Sequence, residues 1–249
     1  MATFEVQVEG LTSLAIDGSS APTQDELTQF LTDGAKEVIN QLPGHLLPLC
    51  ASSNTFTSGS AETLVTGKIL NVFRSDGDIN QPCRKIPAKQ KGRVSDPEEM
   101  AYATITDPVF FIDNNSLDVL PSGGSCSYSA VAYPAVAYSA SAITAFPNEA
   151  EHLVVLYGAI KSLQNILGSM NSSIVHSDQD GSYSASSSSS QGWEKVRDYI
   201  QSDEDVELSG ASLSSLSSEM QQFVAEYQWR EKQQAKLQSD YEKGLQALG

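Results

Sequence analysis

Residues 149–167, EAEHLVVLYGAIKSLQNIL, constrain this chain more than any other stretch. Leu153, Leu156, Tyr157, Ile160, Leu163, Ile166 and Leu167 recur in steps of three and four. That spacing gathers them on one broad apolar helix face, which other elements must cover. Phe146-Pro147 stands just before, and proline suits a first helical turn; the pattern predicts a helix over 147–170. The stretch also opens with Glu149 and His152, three residues apart, a spacing that can place two metal ligands on one helix. Di-metal carboxylate bundles need that Glu-x-x-His pair twice, plus a Glu from each of two further helices. The other two histidines, His45 and His176, have no Glu three residues before them. One chain therefore lacks the second motif. Glu149 and Glu151 read more simply as first-turn acids, favoured by the helix dipole.

Other helices are predicted on both sides of a different texture. Over 23–42, Thr23 and Glu26 have capping-box spacing. Leu27, Phe30, Leu31, Val38, Ile39 and Leu42 share one face there, and Pro43-Gly44 ends it. A short helix is predicted over 193–201 and a long one over 211–247. In the long one, Leu213, Leu216, Met220, Phe223 and Tyr227 form a stripe that Arg230 and Gln234 interrupt, and Leu237, Tyr241 and Leu248 resume it. The first half reads as buried, the second as a seam needing a partner for part of its length. Residues 171–191 hold ten serines and little to bury, which predicts a flexible loop. Between the helices, residues 55–145 read as β structure. ETLVTGKILNVFRSDGD puts β-branched and aromatic residues before an Asp-Gly turn. VFFIDNNSLDVLP is a hairpin about Asp113-Asn114-Asn115, and SYSAVAYPAVAYSASAI alternates small and larger residues. The expected class is α+β: a helical bundle (1–54 and 146–249) with an inserted β module at 55–145.

The 249 residues suffice for one large or two small domains. Only 18% are charged, against roughly 25% in an average soluble domain; 36 serines make up most of the difference. The net charge of −16 argues against a general nucleic-acid binder. No apolar run exceeds the eight residues Leu153–Ile160, and the N-terminus has no signal-peptide pattern, so a soluble chain with no membrane partner is expected. Cys50, Cys83 and Cys126 read as free thiols. No nucleophile elbow, dinucleotide fingerprint, phosphate loop or Cys-x-x-Cys is present, and the Asp-Asn and Asp-Gly stretches at 113–115 and 178–181 lack a full calcium-loop ligand set. No cofactor is expected. Arg84, Lys85, Lys89, Lys91 and Arg93 concentrate a third of the 15 basic residues in ten positions, and none follows from Val94 to Ile160. That run reads as a flexible solvated loop, as a contact with an acidic neighbouring subunit, or as a phosphate contact.

LTQFLTDGAKEVINQLP, LVTGKILNVFRSDG, MAYATITDPVFFIDNNSLDVLP and YPAVAYSASAITAFPNEAEHLVVLYGAIKSLQNIL, taken in this order over roughly 25–170, resemble the head-to-tail adaptor (neck or connector) proteins of tailed bacteriophages. The resemblance implies an N-terminal helix ending in Leu-Pro, an apolar strand pair, a DPVFFI strand before a turn, and a helix after a proline-bearing connection. It implies a non-enzymatic virion structural protein, made in the host cytoplasm and placed in the neck or tail. Such proteins form a homo-oligomeric ring, commonly of twelve copies, below the portal protein. Genomic DNA passes through without sequence-specific binding, and the tail tube, nozzle or fibre proteins attach beyond. On this reading, Arg84, Lys85, Lys89, Lys91 and Arg93 form an inter-subunit loop, and Trp229, Leu237, Tyr241, Leu245 and Leu248 dock on the portal. The alternatives are another neck or tail component (a terminator or a fibre-anchoring protein), a binding module with a serine-rich linker, or a metal-dependent enzyme completed by oligomerisation around Glu149 and His152.

Overall fold

The computed structural model of the chain describes residues 2–64, 66–77, 79–179 and 206–248. It is a mixed α+β protein. Its α-helices are α1 Phe4–Thr12, α2 Gln24–Gln41, α3 Lys91–Ser95, α4 Asn148–Gln179 and α5 Val206–Leu248. Its strands are β1 Ala51–Thr57, β2 Glu62–Thr63, β3 Ile69–Ser75, β4 Asn80–Pro82, β5 Arg84–Lys85, β6 Val109–Asp113, β7 Ser116–Leu120 and β8 Ser125–Val131. The chain divides into two compact units, one of Met1–Ala35, Val136–Ala142 and Glu151–Leu248, the other of Lys36–Ala135 and Ile143–Ala150.

In the first unit the predicted capping box forms. The Thr23 amide donates to Glu26 Oε2 at 2.8 Å and the Glu26 amide to Thr23 Oγ1 at 3.3 Å, so two amides at the start of α2 are satisfied reciprocally. α1, which the sequence pattern did not suggest, buries Phe4, Val8 and Thr12 one turn apart. Leu27 and Leu31 of α2 and Leu153, Ala159 and Leu163 of α4 are fully buried. α2 and α4 approach closely where Gly34 faces Tyr157 and Gly158 faces Leu31. α5 meets α4 through Tyr241 and Tyr157, whose rings lie 6.1 Å apart, and through Gly244 against Leu153. By length and composition α4 could cross a membrane over Asn148–Met170, but half of that span is buried inside the protein, as befits a core helix.

Several boundaries differ from expectation. α4 continues to Gln179, through serines of the 171–191 stretch whose composition predicts a loop. Serine costs a helix only a few tenths of a kcal/mol against alanine, so it does not end one. The rest of that loop and the helix expected over 193–201 lie outside the described residues. The β texture expected to 145 ends at Val131, because Pro134 lacks the amide a ladder needs. Residues 136–142 run instead along α1 and α2. The amides of Val136 and Tyr138 donate to Thr32 and Thr28 hydroxyls at 3.1 and 3.2 Å, and the Phe4 amide donates to the Ala140 carbonyl at 2.8 Å.

The second unit holds two four-stranded sheets, ordered β1-β8-β3-β4 and β2-β7-β6-β5. All pairs are antiparallel except β5 with β6. The predicted hairpin forms between β6 and β7, and Asn114 and Asn115 take the positive φ values, 45° and 59°, that a two-residue turn of this hand requires. Residues 64–77, where the resemblance implies a strand pair, hold one strand, β3, among the described residues, and β2 just before it falls in the other sheet. Val72, Cys126 and Tyr128 of one sheet pack on Phe110, Leu117 and Val119 of the other. The opposite face of β6 carries Val109 and Phe111, which form a second core with Ile86, Val94 and Ala103. A strand covered on both faces reads as an unbroken apolar run, which accounts for Val109-Phe110-Phe111.

Candidate interaction surfaces

The basic run is ordered structure rather than a solvated loop. Arg84 and Lys85 form β5, beside β6. Ile86 and Val94, 4% and 2% exposed, anchor the run to the second face of β6. The cations that flank these anchors splay over the edge of that small core. Arg84 pairs with Asp107 at 3.0 Å and Arg93 with Glu99 at 3.3 Å. The Lys91 ammonium lies 3.8 Å from Asp118 and 5.1 Å from the centre of the Phe111 ring. Three of the five charges are thus answered locally, and exposed pairs of this kind are worth about 0–1 kcal/mol each. Lys85 and Lys89 are exposed and make no ion pair among the described residues.

The C-terminal residues separate into two groups. Leu237 and Tyr241 are buried within the first unit, and Leu245 and Leu248 are half-buried. Only Trp229, 49% exposed, is free to meet another molecule. Of the first-half stripe expected to be buried, Met220 is exposed and Phe223 and Tyr227 are half-buried. The covered half is the C-terminal one, because α4 lies against it; in the preceding half Met220 and Val224 are exposed. Deleting residues 230–249 would therefore remove core as well as any docking surface.

A further surface has no motif in the sequence. Ser53, Thr55 and Thr57 of β1 stand opposite Ser129, Ser127 and Ser125 of β8 on the outward side of their sheet. Asn71, Phe73 and Ser75 of β3 continue the same rows. This face carries no charge, and Phe73 is its one large apolar group, 39% exposed. Its only trace in the sequence is the alternation of serine with apolar residues along 125–130.

All three cysteines are free, and burial raises the thiol pKa of each. Cys83 is pushed up to about 12, first by burial and then by Cys126 nearby, against a smaller opposing pull from Arg74. Arg74 is itself buried at 3% exposure; its Nε donates to the Pro121 carbonyl at 3.0 Å and its guanidinium packs against Gly124. Glu149 and His152 lie in the first turn of α4, with His152 exposed beside Gly244 of α5. Among the described residues no three His, Cys, Asp or Glu side chains gather as a metal site. Compared with models of known protein families and with curated proteins, the chain matches none of them.

Proposed function

We propose that this chain is a non-enzymatic structural protein of a bacteriophage virion: a head-to-tail adaptor forming a ring below the portal, through which DNA passes and to which the tail attaches. The observation that carries this reading is the placement of the strands. All those described, Ala51 to Val131, fall in sequence between α2 and α4, and the 43-residue α5 follows. That order supports a set of helices with a β module inserted among them, as the resemblance implies, although two helices, α1 and α2, precede the module here and α3 lies within it. Three surfaces supply what a ring subunit needs. Lys85 and Lys89 are cations with no ion-pair partner among the described residues, the outward face of the β1-β8-β3-β4 sheet is uncharged, and Trp229 with Met220 and Val224 is apolar and exposed on α5. Subunits in a closed ring meet head-to-tail, so two different surfaces must match, and an unpaired basic edge suits an acidic neighbour in a chain of net charge −16. The same negative charge keeps a channel from gripping phosphates.

The test is negative-stain imaging of the purified protein, alone and mixed with portal rings from the same source. An added layer on the portal supports the adaptor and gives its symmetry; a bare portal beside monomeric protein refutes it. The paired substitution Lys85→Glu/Lys89→Glu should weaken assembly while leaving the fold intact. Lys91 is unsuitable for that purpose, because reversing it also disturbs Asp118 and Phe111. Trp229→Ala should weaken portal binding; equal binding would remove α5 from the interface.

A further inference from the structure

Arg230 occupies a position where the apolar stripe of α5 calls for a leucine, two turns before Leu237 and three before Tyr241. Its side chain is only 14% exposed. Nη2 pairs with Glu226 one turn earlier, but Glu226 is itself half in water, and a solvated carboxylate compensates a buried cation weakly. Nε and Nη1 are shut away from solvent and have no hydrogen-bond partner among the described residues. A buried donor left without an acceptor carries its full desolvation penalty, and a charged one carries more.

Beside this guanidinium lies a cleft of about 450 Å³ that opens broadly to solvent. One wall is Ser13 and Leu14, which follow α1; another is Ile166, Ser169 and Met170 of α4. The Ser13 amide is committed to the Glu9 carbonyl at 2.7 Å, while its hydroxyl makes no hydrogen bond among the described residues. Arg230 is the one charged group in the lining among the described residues. A mixed lining of three serines, five apolar residues and one cation matches a molecule with one anionic head and a short hydrocarbon body.

We propose that this cleft binds a small organic carboxylate. Its head accepts hydrogen bonds from Arg230 and the Ser13 hydroxyl, and its hydrocarbon lies against Leu14, Ile166 and Met170. The flexible arginine side chain turns its unanswered N–H groups toward the cleft as the head enters. This site is independent of the adaptor reading, since it needs no second subunit.

The experiment is thermal unfolding of the full chain with sodium octanoate, sodium acetate or inorganic phosphate at matched ionic strength. Wild type, Arg230→Met and Ser169→Glu are compared. Methionine continues the apolar stripe at 230, and Ser169 is exposed, so both variants should fold, which circular dichroism checks; if one does not, the other decides. Octanoate should raise the wild-type midpoint saturably, by about 3–6 °C at ten times its dissociation constant. Acetate and phosphate should move it by far less, and both variants should lose the octanoate response. An equal response to phosphate, a response that persists in Arg230→Met, or no response to octanoate would overturn the proposal.

Discussion

Replacing Gly34 by alanine tests the packing of α2 on α4. In an open helix interior the change favours folding, because alanine is a better helix former than glycine by about 0.8–1 kcal/mol. Gly168, in α4, is such a position: a Cβ built there meets nothing within 4 Å. Gly168→Ala should therefore stabilise the chain by about 1 kcal/mol. At Gly34 the added Cβ would lie 2.9 Å from Tyr157 Cδ1 and 3.1 Å from both its Cβ and Cγ. The obstruction is the base of the tyrosine, which moves only with the α4 backbone or by pulling the ring from its place beside Tyr241. Overpacking of this kind costs about 1–3 kcal/mol, and contact at the base of a side chain belongs in the upper half of that range. Subtracting the propensity gain leaves Gly34→Ala less stable than wild type by about 1–2 kcal/mol. The two alanine variants should then differ by about 2–3 kcal/mol in urea unfolding followed by far-ultraviolet circular dichroism. Adding Tyr157→Ala to Gly34→Ala should recover part of the loss, giving a clear coupling term in the double-mutant cycle. If Gly34→Ala stabilises as much as Gly168→Ala does, the two helices do not pack through this glycine.

Three further outcomes follow from the second unit. Phe111→Ala, at 1% exposure in the smaller core, should cost about 3–5 kcal/mol in urea unfolding, whereas Lys91→Ala beside it should cost less than about 1 kcal/mol; equal effects would mean that the run is held by charge rather than by Ile86 and Val94. Thiol titration with an aromatic disulfide at pH 8 should find none of the three cysteines reactive within minutes in the native protein and all three reactive in urea; fast native labelling of Cys83 would contradict its burial. Stability should also fall above about pH 8.5, where an unfolded thiol ionises while Cys83 in the fold stays protonated up to about 12. The stabilisation is complete below that window and is lost as pH rises through it, by at most about 1.4 kcal/mol per pH unit for one thiol. Cys83→Ala should flatten the alkaline slope, and an unchanged slope would show that other groups set it.

The sequence by itself determined the features whose causes lie within a few residues of one another. The Thr23–Glu26 capping box, the Asn114-Asn115 turn, and the helical period of 24–41, of 153–167 and of α5 are of this kind. Each is a local hydrogen bond, a backbone preference or a stripe that one element must bury. Only the tertiary structure decided which stripe is covered and by what. Leu237 and Tyr241 are buried because α4 runs beside them, while Met220 and Val224 of the same helix stay exposed. β2 and β3 are separated by five residues yet belong to different sheets, because β2 pairs with β7 and β3 with β8, partners distant in the chain. The basic run looked like a solvated loop because its charges dominate it. It is held by two apolar residues, Ile86 and Val94, whose cover, Val109 and Phe111, comes from a strand that begins fifteen residues beyond Val94. Arg230 breaks the apolar seam in the sequence, whereas in the fold Ser13, Ile166 and Met170 line one cleft with it. In each case the deciding contact is distant in the chain, and burial depends on where the partners lie, which no local pattern encodes.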